Sequence, residues 1–208
     1  TWRDTQDLSA ALNLWTNCNA HPNPGAGRNL ATGTLAVASG STGTLLNATG
    51  AGCITALKLE PGEMGDYCLA NAWLVATWDG AATPQVEAPL GDFFGCRAQV
   101  EDVDGLLIGM ATNAPWYCYF PMPYWESALI QIENRGGENM DSMGFRTETD
   151  TNRYERGSSG WFQTCYRLQH IDSRDGADVI LIHTNGWGRV AGINLAIFNN
   201  SKDPLGYL

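Results

Sequence analysis

Apolar and polar residues alternate with a period of two along much of this chain. Ala128, Ile130 and Ile132 alternate with Leu129, Gln131 and Glu133. Ala191, Ile193, Leu195 and Ile197 mark one face of the run Arg189–Phe198. Thr55, Leu57 and Leu59 share a face of Cys53–Glu60, with Lys58 and Glu60 on the other. This is the period of a strand with one face buried. Thr32–Ser39, Thr44–Thr49, Leu106–Ala111, Trp116–Phe120, Trp161–His170 and Val179–His183 read as further short strands. Cys68–Trp78 is apolar on both faces, as a strand central in its sheet would be. Gly136–Arg156 is polar, carries charges of both signs and reads as a long exposed excursion. Twenty-four glycines supply the tight turns between runs. No long segment with a 3.6 period separates the strands, which excludes a βαβ arrangement. The pattern predicts an all-β fold, an antiparallel two-sheet jelly-roll sandwich with an N-terminal arm.

The arm is residues 1–31, and residues 32–208 are assigned to the jelly-roll. Within the arm, Asp7–Trp15 (DLSAALNLW) is an apolar patch, either a short helix or an extended segment. Asn17–Asn29 holds Pro22, Pro24, Gly25 and Gly27 and reads as a linker. Leu8, Leu12, Leu14 and Trp15 must bury themselves against something. They can fold back on their own sandwich or join a neighbour's sheet edge.

Composition narrows the partners. The chain has 12 Lys and Arg against 22 Asp and Glu, a formal net charge of −10. A nucleic acid attracts the opposite balance, so none is expected. No apolar run reaches a membrane span, and no membrane insertion is expected. Six cysteines, Cys18, Cys53, Cys68, Cys96, Cys118 and Cys165, show no CxxC spacing and so no zinc pattern. Disulfides are the expectation, and buried free thiols the alternative. The sequons at Asn47 and Asn199 make these two residues glycosylation candidates. With Thr1 standing first in place of Met, these features point to an extracellular or secreted protein.

Several constellations carry candidate chemistry. Thr77–Gly95 (TWDGAATPQVEAPLGDFFG) is a loop-rich stretch with the carboxylates Asp79, Glu87 and Asp92. Glycosidases use a carboxylate pair, so these three are the weak catalytic candidates. Asp79 also suits a turn cap in Trp-Asp-Gly, Asp92 a loop-holding role, and Glu87 a solvent-facing strand position. Trp116, Tyr117, Tyr119, Tyr124 and Trp125 form the densest aromatic cluster and could stack on sugar rings or fill the core. Tyr117 and Tyr119 fall on one face of a strand. Glu101, Asp102 and Asp104 form an acidic turn, either a solvated turn or a loop for calcium. No cofactor is required. There is no Gly-x-Ser-x-Gly elbow, phosphate loop or dinucleotide fingerprint. The histidines His21, His170 and His183 are far apart in sequence.

Thr44–Ile54 (TLLNATGAGCI), Thr77–Gly95, Trp116–Pro123 (WYCYFPMP) and Val179–Gly192 (VILIHTNGWGRVAG) together resemble the domain of unknown function 2961 family, which includes glycoside hydrolase family 172. The likeness covers roughly residues 33–198. It implies a jelly-roll matching the first half of the family domain, and an activity on furanosides. In that family the catalytic carboxylates lie near a Gly-Thr-Glu-Asp-Tyr-like segment, which this sequence does not contain. The resemblance therefore transfers no catalytic residue.

Together these readings lean away from an enzyme. The expectation is a non-catalytic extracellular structural subunit. It self-assembles into a filament or surface layer by donating its N-terminal arm to a neighbouring jelly-roll, its partner being itself. The alternative is a carbohydrate-active domain, either a furanosidase like family 172 or a sugar-binding module.

Overall fold

The structure is a computed structural model, and it describes residues 7–18, 20–22, 28–97, 99–170 and 180–196. Among the described residues ten strands run β1 (Asn29–Val37), β2 (Thr42–Thr49), β3 (Gly52–Glu60), β4 (Ala72–Trp78), β5 (Val86–Pro89), β6 (Ile108–Ala111), β7 (Ala114–Cys118), β8 (Met122–Tyr124), β9 (Ser127–Asn134) and β10 (Met140–Asp150). One sheet has the order β1-β10-β3-β7-β6, with β8 also paired to β3. The other has the order β2-β9-β4-β5. Every pairing between these strands is antiparallel. The chain thus folds as one long hairpin wrapped across two sheets. β1 lies on β10, β2 on β9, β3 on β7 and β4 on β5, and this strand order defines a jelly-roll.

Inward side chains of both sheets form one core. Leu45, Ile54, Leu57, Leu59, Leu74, Trp78, Trp116, Ile130 and Ile132 are all buried there. On β3 the outer face is covered as well. Ala56 lies beneath Tyr117 and Tyr119, whose rings stack at 5.0 Å between centroids. The half-exposed strand expected at Cys53–Glu60 is therefore central, with β10 on one side and β7 and β8 on the other.

Three segments differ from the sequence reading. Cys68–Trp78 is not a single strand: α2 (Gly65–Asn71) carries its first four residues, and β4 starts at Ala72. A buried helix turn and a buried strand are both apolar all round, so the period could not separate them. Gly136–Arg156 is not an exposed excursion, because β10 lies between β1 and β3. Met140, Met143, Thr147 and Thr149 are its buried residues. Two of these are threonines, and the register shifts between Glu148 and Thr149, which together hide the alternation. Residues 161–170, 180–183 and 189–196 form no strand. Val179, Ile197 and Phe198 lie outside the described residues.

The cysteines correct a further expectation. All six are free thiols. Cys53 and Cys118 are packed separately within one sheet, on β3 and β7, while Cys68 sits on α2 against the Met140 sulfur at 3.7 Å. Burial pushes the Cys53 thiol up to about 11 and those of Cys68 and Cys118 up to about 12. These are inert core thiols, and no disulfide holds this fold.

The arm contains α1 (Ser9–Thr16), a two-turn helix with no buried residue. Just before it, the Asp7 carboxylate accepts from the N–H of Ser9, its first residue, at 2.9 Å. Leu8, Leu12 and Trp15 are exposed, and Leu14 is half-buried. Further on, the linker returns to its own sandwich. Arg28 Nη1 meets His21 Nε2 at 2.8 Å and Glu148 of β10 at 3.3 Å, and the His21 ring lies 4.9 Å from Tyr119. Burial, then the Arg28 charge, pushes the His21 pKa below its ordinary value. No described helix is long and apolar enough to cross a membrane.

Candidate functional site

The stretch Thr77–Gly95 is built chiefly for geometry. Asp79 and Gly80 follow β4 with φ of 54° and 66°, the positive values that a tight primed turn needs. Aspartate tolerates that region because its short side chain bonds locally. Here the bonds reach a second loop. Asp79 Oδ1 accepts from the N–H groups of Trp125, Glu126 and Ser127 at 2.8, 2.6 and 3.1 Å. Its Oδ2 accepts from the Trp161 indole at 2.8 Å. Burial pushes this carboxyl up, but the four hydrogen bonds outweigh it and hold the pKa below the usual range. A carboxylate this fully engaged is a clamp rather than a base.

Asp92 lies in α3 (Leu90–Phe94), which carries the Pro-Leu-Gly-Asp-Phe-Phe-Gly string. Both glycines of that string are steric requirements. A Cβ on Gly91 would meet the Cys96 carbonyl oxygen at 2.6 Å and that of Leu69 at 3.0 Å. Gly95 ends the helix in the left-handed region at φ 111°. Asp92 Oδ2 is buried without a hydrogen bond, and the Arg97 guanidinium stands 3.8 Å away. Burial pushes the Asp92 pKa up, and Arg97 only partly offsets it. Glu87 is exposed on β5 and accepts from Arg135 at 2.7 Å. Arg135 also binds Glu133 at 2.8 Å and stacks over Trp73, 4.0 Å from the ring centroid. The three candidate carboxylates therefore occupy three separate settings, each with its own partner.

Most of the candidate aromatic cluster is core. Trp116, Tyr117, Tyr119 and Tyr124 are buried and present no open ring face to a sugar. Tyr117 donates to the Gly105 carbonyl at 2.6 Å. Trp125 alone reaches the surface, where its ring meets Trp161 edge-on at 5.5 Å. The Trp125 indole donates to the Tyr154 carbonyl at 3.0 Å. The sequence pattern does not single out Trp161 and Tyr154, which fall in stretches that read as a short strand and a polar excursion.

The acidic turn uses its oxygens internally. Asp102 Oδ1 accepts from Thr112 N–H at 2.8 Å, and Glu101 accepts from Gln99 at 2.6 Å. With Asp104 included, no described group of three His, Cys, Asp or Glu residues is arranged to hold a metal ion. Asn47 is exposed on β2. Asn199 lies outside the described residues.

After β10 the chain straps the edge of β5. Thr164 N–H donates to the Gln85 carbonyl at 3.0 Å, and the Thr164 hydroxyl accepts from Glu87 N–H at 2.9 Å. Trp78 Nε1 donates to the Phe162 carbonyl at 2.8 Å, and Tyr166 meets Trp73 edge-on. Residues 180–196 lie beyond this strap. Arg167 donates to the Ile180 carbonyl at 3.1 Å and Asn194 to the Asp92 carbonyl at 2.7 Å. Ile180, Leu181, Ile182, Trp187, Val190, Ile193 and Leu195 are all exposed there.

Fold and surface together define a jelly-roll with an apolar C-terminal extension and a small aromatic corner. The family model described as GH172 domain-like matches residues 27–146, from before β1 into β10, and the chain belongs to that family. No curated protein is similar to it at a significant level.

Proposed function

We propose that this GH172-like chain is a non-catalytic structural unit that self-assembles by strand addition, residues 180–196 of one copy pairing with an open sheet edge of the next. The observation that carries this reading is the exposed apolar stretch itself. Its second part, residues 189–196, has the alternation of a strand, yet its large side chains are exposed. Burying each would stabilise an assembly by about 1.5–3 kcal/mol. An acceptor is at hand. β1 and β2 are edge strands of eight or more residues, and neither carries a charge or a proline to block pairing. A head-to-tail donation of this kind does not close on itself and yields a filament. The N-terminal arm suits the donor role expected for it less well, because Ser9–Thr16 is helical and a helix has no free backbone edge to add. Leu12 and Trp15 would then serve as a side contact.

Sedimentation velocity over a concentration series tests the reading. The full chain is expected to grow into larger species, and the double variant Ile193→Asp, Leu195→Asp to stay monomeric. A full chain that is monomeric at every concentration contradicts it.

A carbohydrate-active role is the second reading. Family membership favours it, as does the exposed aromatic corner beside Asp79. Asp79 is held by four hydrogen bonds and Glu87 by Arg135, which favours binding over hydrolysis at these two carboxylates.

A further inference from the structure

Three ionisable side chains are packed together where the arm meets the sandwich. The side chains of Arg28, His21 and Glu148 are 7%, 11% and 12% exposed. An arginine is always protonated and can only donate. Arg28 Nη1 stands 2.8 Å from His21 Nε2, so that nitrogen must offer its lone pair and the ring must be neutral. The same ring bonds the Thr55 backbone of β3 and lies 4.9 Å from the buried Tyr119 ring. Tyr119 in turn stacks on Tyr117 at 5.0 Å, over Ala56. His21 is thus a point at which the arm rests on the outer face of β3 and β7.

The charges around the ring decide what a proton would do there. Glu148 Oε2 lies 4.0 Å from His21 Nε2, and alone it would favour a protonated imidazole. That oxygen already accepts from Arg28 at 3.3 Å, and Oε1 is held by Arg146 at 2.9 Å. Lys58 adds a further cation, its Nζ over the Tyr119 ring at 5.4 Å from the centroid. Arg28, Arg146 and Lys58 therefore outnumber the one carboxylate before His21 titrates. A protonated Nε2 would also face the Arg28 donor across a hydrogen-bond distance. Burial and like charges both disfavour the protonated ring, and neither acts on an imidazole lifted into water. We propose that His21 is an acid-released latch, protonation of its ring detaching the arm from the sandwich and baring the Tyr117–Tyr119 face. A histidine held below its ordinary value of about 6.5 keeps such a latch fully closed above that pH and weakens it as pH falls towards the folded value. Glu148 keeps its charge over this range. Burial pushes its carboxyl up, but the bonds from Arg146 and Arg28 outweigh it and hold the pKa below the usual range. The latch stands whether or not residues 180–196 drive assembly.

Hydroxyl-radical footprinting of the full chain, read by mass spectrometry at about pH 8 and about pH 5, tests the latch on either side of the ordinary histidine value. Exposed Tyr154 serves as the dose reference, and buried Tyr124 as the control for general unfolding. Tyr119 is expected to oxidise about threefold faster or more at the lower pH, with Tyr124 unchanged. His21→Gln carries no titrating ring, so its Tyr119 rate is expected to be the same at both pH values, whether the variant rests closed or open. Lys58→Gln removes a repelling cation and is expected to raise the midpoint of opening by about 0.3 in pH. A purely structural contact would leave that midpoint where it was. Equal Tyr119 rates at the two pH values in the wild-type chain overturn the inference. So does a rise shared by Tyr124, or a pH dependence that survives in His21→Gln.

Discussion

Ile130 and Ile132 of β9 are 1% and 0% exposed, while Ile193 and Leu195 are 62% and 58% exposed. Both stretches show the same alternation of apolar and polar residues. β9 is hydrogen-bonded on both sides, to β2 and β4, and its inner face meets the opposite sheet. Residues 189–196 have no strand beside them among the described residues. The comparison separates two things that periodicity confounds. A period of two says that a segment can bury one face, but not that its own domain supplies the partner. In β9 the alternation is satisfied within the chain. In residues 189–196 it is not met by any described strand, and this is why we propose that segment as the assembly contact.

The largest effect should come from the satisfied stretch. Ile132→Asn places an amide in a closed core and should cost about 3–5 kcal/mol by chemical denaturation. The matching change Ile193→Asn should move the stability of the dilute protein by no more than about 0.5 kcal/mol. Equal losses at the two sites would erase the distinction.

Asp79 comes next, because it links the sandwich to the chain beyond β10 through Trp161. Asp79→Ala orphans three backbone N–H groups and one indole, and should cost about 2–3 kcal/mol. Its folded pKa is held below the ordinary aspartate value of about 3.9. The ionised clamp therefore contributes fully above that value, and its contribution is lost as pH falls through the folded pKa. The stability gap between the wild-type protein and Asp79→Asn should accordingly narrow below about pH 4. A gap that stays constant in acid would mean that the charge plays no part.

Gly91→Ala should cost about 1–3 kcal/mol, since the new methyl meets backbone that cannot move aside. Gly188→Ala, in the exposed stretch where an added Cβ meets nothing within 4 Å, should have no measurable effect on thermal unfolding. The smallest effect is chemical rather than energetic. Native thiol titration should label exposed Cys165 quickly and leave Cys53, Cys68 and Cys118 unreacted, with no mobility change on reduction. A reducible cross-link would contradict the free-thiol core.

Much of the sandwich was legible in the sequence. β2, β3 and β9 fall where alternation and glycine turns put them, and the two-sheet class follows from many short strands without long helices. β10 was not, because buried threonines and a bulge broke its pattern. The site was legible only in part. Trp-Asp-Gly signalled a turn, but nothing local shows that the Asp79 carboxylate would reach residues 125–127 and Trp161. Trp116, Tyr117, Tyr119 and Tyr124 shared the density of a sugar platform and turned out to pack within the fold. Composition counts rings but does not say which face water.

Amide hydrogen exchange at two protein concentrations, followed by mass spectrometry, tests the assembly claim most directly. Residues 189–196 should exchange freely in dilute protein and become protected in concentrated protein, with β9 protected in both. Protection of residues 189–196 that is already full in the dilute monomer would mean that the segment pairs within its own chain. Free exchange at both concentrations would mean that it pairs with nothing. Either result would contradict assembly through this segment.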